Sequence, residues 1–138
     1  YGVTPELQTR FDFSNTHLKL EMVIEESEAH GAVAVPCHPG RPKVGMFAHT
    51  EALGIPKGVS IVEIYNGGSR DQEDQIAIDN AESLGYRGIA GSDSHIVSHI
   101  GRCATKFERD IQTMDELVAA LKAGEFEAVN LKTAQSPS

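Results

Sequence analysis

An aspartate and a histidine stand two residues apart, directly after an apolar stretch of the chain. Asp93 and His95 follow residues 86–90, a run typical of a buried strand. A period of two places both side chains on the same side of an extended backbone. Carboxylate and imidazole groups together suit Zn, Mn or Fe better than Ca or Mg. We predict a metal site here; the alternative is an aspartate that caps a turn beside a surface histidine.

His38 occupies an equivalent position earlier in the chain, after the apolar run 32–36. The carboxyl ends of parallel strands meet at one edge of a sheet or barrel, so His38 is predicted to join Asp93 and His95 as a metal ligand. The alternative is a structural or solvated histidine. The proline that follows favours an extended conformation for His38. Cys37 is predicted to point to the opposite side, as a small core residue.

Five further polar residues are expected near these strand ends. Glu63 stands inside an apolar strand, where a carboxylate must be paired, coordinated or at the rim, and Asn66 follows it. Glu63 is predicted to orient a ligand histidine, with a partly exposed strand carboxylate as the alternative. The planar guanidinium of Arg41 suits a phosphate, and Arg102 is a weaker candidate of the same kind; ordinary surface arginines are the alternative. His99 is predicted to be a loop histidine near the site.

Apolar strands alternate with helices along the chain, which is typical of a parallel α/β architecture. Helices are predicted over residues 18–29, 46–53, 71–84 and 114–123, and strands over 10–13, 32–36, 59–65, 87–90, 104–108 and 128–131. The capping candidates are Asn15 or Thr16 for the first helix, Ser69 for the third, and a Thr113–Glu116 capping box for the last. The acidic run 71–74 is predicted to be an exposed helix start. We expect an irregular segment at 1–17, one domain over 18–132 and a frayed tail at 133–138.

Composition limits the classes of function. A chain of 138 residues fits one domain with a sizeable core. The net charge of −8 argues against a broad nucleic-acid surface, although metal ions could still present a phosphate to an acidic protein. Two cysteines without a CxxC pattern are expected to be reduced thiols of a cytoplasmic protein. No signal peptide or run of ~18 apolar residues is visible, so no membrane partner is expected.

Three segments, taken in order, resemble the second half of the PHP (polymerase and histidinol phosphatase) superfamily. They are His-Pro-Gly-Arg-Pro at 38–42, Val-Glu-Ile-Tyr-Asn at 62–66 and Gly-Ser-Asp-Ser-His at 91–95. The resemblance extends over roughly residues 18–130. It implies part of a distorted (β/α)7, TIM-like barrel with a cluster of Zn, Mn or Fe at its C-terminal rim. It also implies hydrolysis of phosphate esters of small molecules or nucleotides.

Carried over by position, the resemblance implies His38, Asp93 and His95 as metal ligands and Arg41 as a residue near the substrate phosphate. Glu63 matches a recurrent position of the family whose residue does not usually bind the metal directly. The H-x-H motif that opens the family's barrel does not occur in residues 1–30. We therefore expect divalent metals to be bound weakly or incompletely.

The resulting prediction is a metal-dependent phosphoesterase in which a metal-activated water attacks phosphorus, with catalytic roles for Asp93, His95 and Arg41. One alternative is a non-catalytic PHP-type scaffold or assembly module without a full metal site. Another is a plain α/β domain whose histidines and aspartates do no chemistry. Half a barrel exposes sheet edges, so a homodimer or a missing N-terminal half is expected to cover them.

Overall fold

The computed structural model describes residues 1–12 and 14–132, which form a mixed α/β fold. The helices are α1 (Pro5–Gln8), α2 (Leu20–Ala29), α3 (Thr50–Leu53), α4 (Glu73–Leu84) and α5 (Met114–Ala123). The strands are β1 (Ile61–Asn66), β2 (Arg87–Gly91), β3 (Cys103–Phe107) and β4 (Phe126–Asn130). Short 3-10 helices cover Met46–Ala48 and Val97–His99.

The described strands form two separate pairs. β1 and β2 are parallel, with Ile61 opposite Arg87 at one end of the pair. β3 and β4 are antiparallel, and Phe107 is opposite Phe126. The prediction of a parallel α/β architecture therefore holds for β1 and β2 but is wrong for β3 and β4. No barrel closes within the described residues, so the TIM-like barrel implied by the resemblance is not confirmed.

Local sequence signals determine where α5 starts and where α4 and α5 end. The capping box of α5 is confirmed, because Thr113 Oγ1 accepts the Glu116 N–H at 3.2 Å and the Glu116 carboxylate accepts the Thr113 N–H at 3.1 Å. Gly85 and Gly124 follow the two helices with φ of 71° and 73°, in the left-handed region that glycine adopts at low cost. The predicted capping box and the predicted helix ends at residues 84 and 123 were correct because each depends on neighbouring residues alone.

Two predicted helix caps are wrong, and the two helices begin two residues later than predicted. α2 begins after Lys19 and α4 after Gln72, each without a side-chain cap. The Asn15 side chain instead accepts the N–H of His17, in a turn that precedes α2. The Ser69 N–H donates to the Asn66 carbonyl in the turn after β1, so Ser69 lies too early in the chain to cap α4.

Three predicted elements differ in the structure. Residues 32–36 are not assigned as a strand; the Glu63 N–H donates to the Pro36 carbonyl at 3.1 Å, without a continuous ladder. The predicted helix 46–53 divides into a 3-10 turn and α3. The predicted strand 10–13 is wrong in its described part, residues 10–12, where the chain leaves α1 in a turn. Its last residue and the predicted tail 133–138 lie outside the described residues.

The core lies between the parallel strand pair and α5. Ile61, Ile89 and Leu121 form a buried cluster that joins β1, β2 and α5. This packing fixes the two parallel strands side by side, so their carboxyl ends open onto the same edge. No helix in the described part of the chain combines the length and the apolar character that crossing a bilayer requires.

Candidate site at the carboxyl ends of the parallel strands

One guanidinium joins the three sequence segments that were predicted to form a site. Arg41 Nη2 donates to Asp93 Oδ2 at 3.1 Å and to Asn66 Oδ1 at 3.3 Å. Its Nε donates to Glu73 Oε2 at 3.3 Å. We call this group of four side chains the rim cluster. It brings together the loop after residues 32–36, the end of β1, the start of α4 and the turn after β2.

A buried carboxylate holds the loop that carries Arg41. Glu63 Oε2 accepts the main-chain N–H of His38 at 2.6 Å and the Asn66 Nδ2 at 2.8 Å. Glu63 therefore contacts the backbone of His38, whereas the sequence suggested that it would orient the ring. Gly40 lets the loop approach α4, because a Cβ at this position would overlap the Glu73 carbonyl oxygen.

The hydroxyl group of Ser92 fixes the turn that carries Asp93. Ser92 Oγ accepts the Gly101 N–H at 2.7 Å and donates to the Cys103 carbonyl at 3.3 Å. On the other side, a Cβ at Gly68 would lie 2.8 Å from Asp93 Oδ2, so only glycine leaves room for the carboxylate. The chain after β2 is thus tied to β3, and the Asp93 side chain faces the end of β1.

His38 and Asp93 both adopt backbone conformations that the sequence did not predict. Their φ angles are 34° and 47°, in the left-handed region that few residues other than glycine occupy. The predicted extended conformation of His38 is wrong, since the hydrogen bond to Glu63 overrides the preference set by the following proline. The predicted placement of Asp93 and His95 on one side of an extended strand is wrong because β2 ends before them. His95 Nδ1 instead lies 3.0 Å from the main-chain oxygen of Asp93.

The ion pair at the centre of the rim cluster is stabilised in its charged form. Burial alone would raise the pKa of Asp93, but the hydrogen bond and the positive charge of Arg41 outweigh it and lower the pKa. Burial alone would lower the pKa of Arg41, but the hydrogen bonds to Asp93 and Glu73 raise it. Both groups are therefore ionised at neutral pH.

The structure does not gather the predicted metal ligands into one coordination group. Among the described residues, no set of three or more His, Cys, Asp or Glu side chains is arranged to hold a metal ion. The donor types of His38, Asp93 and His95 suit a transition metal, but the Asp93 carboxylate already bonds to Arg41, and His95 is exposed. His38 Nδ1 is buried and has no hydrogen-bond partner in the described structure. Within the described part of the chain these residues form no coordination group of their own, and their ligand roles stay predictions.

Cys37 is not the core residue that the sequence predicted. It is exposed, and its Sγ lies 3.4 Å from Nε2 of His38. The turn at His38 brings the two side chains together, whereas a regular strand would separate them. Partial burial of the thiol and the negative charge of Glu63 raise the pKa of Cys37, so it stays a thiol at neutral pH.

The start of α4 contributes site residues that the sequence did not identify. The run 71–74 was predicted to be exposed, but the side chains of Glu73 and Asp74 are only 15% and 19% exposed. Glu73 binds Arg41, and Asp74 accepts the Asn66 N–H at 3.1 Å and Lys132 Nζ at 2.9 Å. Their position in the sequence could have indicated this role, because these carboxylates begin the helix that follows Asn66 at the end of β1.

The remaining predicted residues lie on the loop after Asp93. His99 ends the 3-10 turn Val97–His99, and its carbonyl accepts the Arg102 N–H at 3.3 Å. The Arg102 carbonyl accepts the N–H of Leu131, which ties this loop to the end of β4. The predicted substrate contact of Arg102 and the placement of His99 beside the site stay predictions.

Comparison with known families gives a match to part of the chain. Residues 72–126 match a family model described as PHP-associated. This finding confirms the resemblance to a C-terminal portion of the PHP superfamily. The matched segment includes Glu73, Asp93 and His95, whereas His38 and Arg41 precede it. Searches of curated proteins and of solved structures found no match.

Proposed function

We propose that this chain forms the C-terminal part of a PHP-type phosphoesterase, which hydrolyses a phosphate mono- or diester of a small molecule or nucleotide. The observation that carries the proposal is the Arg41 guanidinium, which bonds to Asp93 and Asn66 from two distant segments. A guanidinium at an open rim is suited to bind a phosphate in a bidentate manner. The match of residues 72–126 to the PHP-associated family supports the same class of chemistry.

In this proposal Arg41 binds the phosphate, and Arg102 assists from the neighbouring loop. His38, Asp93 and His95 are this chain's contribution to a site for Zn, Mn or Fe, completed by ligands outside the described residues. Such metals, when bound, would acidify a water molecule and neutralise phosphate charge. Glu63, Asn66 and His99 support the loops that carry these groups.

The proposal also concerns assembly. We propose that β1 and β2 are neighbouring strands of a larger barrel, whose other strands come from an N-terminal half or from a second copy of the chain. Static light scattering on the purified chain distinguishes a monomer from a homodimer. We further propose a cytoplasmic location, which two free cysteines favour.

The test is turnover of p-nitrophenyl phosphate with Mn²⁺, measured on the natural polypeptide that carries this chain. Asp93→Asn is expected to reduce turnover to background, and Arg41→Ala to lower kcat/KM by about 100-fold. Asp79→Asn, on the exposed face of α4, is the matched control and is expected to retain full turnover. Unchanged turnover in Asp93→Asn with the fold intact would contradict the proposal.

A second candidate function is a non-catalytic scaffold of the PHP type. It is favoured by the pairing of Asp93 with Arg41 and by the lack of a three-ligand group in residues 1–12 and 14–132. Elemental analysis separates the two candidates. A purified natural polypeptide with no stoichiometric metal and no activity on a generic phosphate ester would favour the scaffold.

A further inference from the structure

A cavity of about 520 Å³ opens at the amino ends of β1 and β2, away from the rim cluster at their carboxyl ends. It lies between α2, residues 32–34, the starts of the two strands and the end of α5. Its apolar floor includes Ile24, Ile61 and Leu121, which are 4%, 5% and 1% exposed. The volume falls within the range of roughly 300–1,000 Å³ that small-molecule sites have.

The cavity exists because residues 32–36 and β1 do not continue as a paired ladder. The Glu63 N–H donates to the Pro36 carbonyl, but two residues before that proline the Ala34 N–H and carbonyl make no hydrogen bond with any described residue. Ala34 and Ile61 both line the cavity. A main-chain donor without a partner in the protein has to be satisfied by water or by a ligand.

Two cationic side chains, Arg87 and Lys122, line the same cavity. Arg87 Nη1 donates to the Lys122 carbonyl at 3.4 Å, and Lys122 Nζ donates to the Gly31 carbonyl at 3.2 Å. Gly124 lets the guanidinium lie against the end of α5, because a Cβ at this position would overlap it. Within the described part of the chain neither cation pairs with a carboxylate, so both charges are open to an anion.

The charge at the cavity selects among anions. Glu28 is the one carboxylate among the described lining residues, so the three ionised side chains carry one net positive charge. That balance favours a monoanion such as a carboxylate, because a phosphate dianion would be repelled more strongly by Glu28. The chain as a whole has a net charge of −8, so the attraction is local to this cavity.

We propose that this cavity binds a small organic monoanion, a monocarboxylic acid with an apolar body. The apolar body lies on Ile61 and Leu121, and the carboxylate meets Arg87 and Lys122. Burial of the apolar body supplies affinity, and the two cations select the charged end. The site is at the other end of the strands from the rim cluster and does not depend on the proposed phosphoesterase activity.

The experiment is an NMR titration of the chain with octanoate, followed through the ¹³C methyl resonances of Ile24, Ile61 and Leu121. Saturable shifts of these methyl groups are expected. The uncharged 1-octanol is expected to bind at least about fivefold more weakly, because it cannot form charge-assisted hydrogen bonds. Arg87→Gln combined with Lys122→Gln should remove this preference for octanoate. Lys106→Gln, at an exposed site on β3, is the matched control and should keep it.

Two results would overturn the inference: octanoate that shifts none of these methyl groups, or octanoate that binds no more tightly than 1-octanol. Glu28→Gln covers the case in which the double variant does not fold. It removes the repelling carboxylate and should raise the affinity for octyl phosphate, a dianion, more than the affinity for octanoate. An unchanged ratio of the two affinities would likewise contradict the assignment of charge selection to this cavity.

Discussion

The two strand pairs are held together by different kinds of interaction. β3 and β4 form a regular antiparallel ladder, closed by the Phe107 and Phe126 rings with centroids 6.2 Å apart. The rim of β1 and β2 depends on side-chain hydrogen bonds between distant segments; Arg41 and Asp93, for example, are 52 residues apart. The groups suited to chemistry lie in the second region, in loops whose conformation depends on charge pairing.

This contrast predicts where stability and acid sensitivity reside. Burial of apolar side chains contributes most of the folding free energy, whereas partly exposed ion pairs contribute about 0–1 kcal/mol. Substitutions in the core beneath the strands should therefore lower the free energy of unfolding more than substitutions at the rim. The rim substitutions should instead change the order of the loops.

The largest expected effect is at the core. Leu121→Ala removes a side chain that is 1% exposed and packs on Ile61 and Ile89. It is expected to lower the free energy of unfolding by about 2–5 kcal/mol, measured by urea denaturation. Leu53→Ala, at a site 82% exposed, is the control and should change stability by no more than about 0.5 kcal/mol. A Leu121→Ala effect as small as that of the control would mean that α5 does not cover the parallel pair.

Substitution of Glu63 tests how strongly this carboxylate holds the loop at His38 and the side chain of Asn66. Glu63→Leu leaves the N–H of His38 and the amide of Asn66 without their acceptor, and should lower the free energy of unfolding by about 1.5–3 kcal/mol. Glu63→Gln keeps one acceptor oxygen and should lower it less. Hydrogen exchange of the His38 amide should accelerate in Glu63→Leu, while amides of β3 keep their protection. Equal acceleration in both strand pairs would show that the two regions unfold together.

Thr113 tests a purely local contribution, the capping box that starts α5. Thr113→Ala removes the acceptor for the Glu116 N–H and should lower the free energy of unfolding by about 1 kcal/mol in thermal or urea denaturation. Thr113→Ser keeps the hydroxyl and should stay near the wild type. A loss in Thr113→Ala larger than that in Glu63→Leu would reverse the proposed ranking of local and long-range contacts.

The smallest expected effect is the dependence of stability on pH. The pKa of Asp93 is lower in the folded chain than in the unfolded one, where it is about 3.9. Its contribution is therefore complete well above the unfolded pKa and is lost progressively as the pH falls through the folded pKa. Asp93→Asn should show a shallower loss of stability on acidification in metal-free buffer. Parallel curves for the two proteins would show that the Arg41 pair adds no acid sensitivity.

Much of the secondary structure could be predicted because its signals are local. Gly85 and Gly124 end helices through a left-handed residue, and Thr113 with Glu116 starts one through reciprocal hydrogen bonds. The short segment 32–36 was mispredicted because apolar β-branched residues favour an extended chain without specifying a ladder. The cap at Asn15 failed because a turn uses its side chain, and the cap at Ser69 failed because α4 begins only after Gln72.

The candidate site likewise combines residues that the sequence identified with residues that only the structure brought to it. The sequence identified Arg41, Asn66 and Asp93 as polar residues at neighbouring strand ends, and the structure joins them. It did not identify Glu73, since a carboxylate at a helix start looks the same whether it faces solvent or a guanidinium. Cys37 was misplaced because strand alternation cannot anticipate a left-handed residue at His38.

By itself the amino-acid sequence determined the carboxyl ends of α4 and α5, the strands β1 and β2 and the set of charged groups near their carboxyl ends, because each depends on neighbouring residues or on simple periodicity. Only the tertiary structure decided that β3 and β4 run antiparallel and that one guanidinium is shared among three elements. Those outcomes depend on packing and on charges brought together from distant parts of the chain, where a hydrogen bond of 2.6 Å from His38 to Glu63 outweighs the local preference of the backbone.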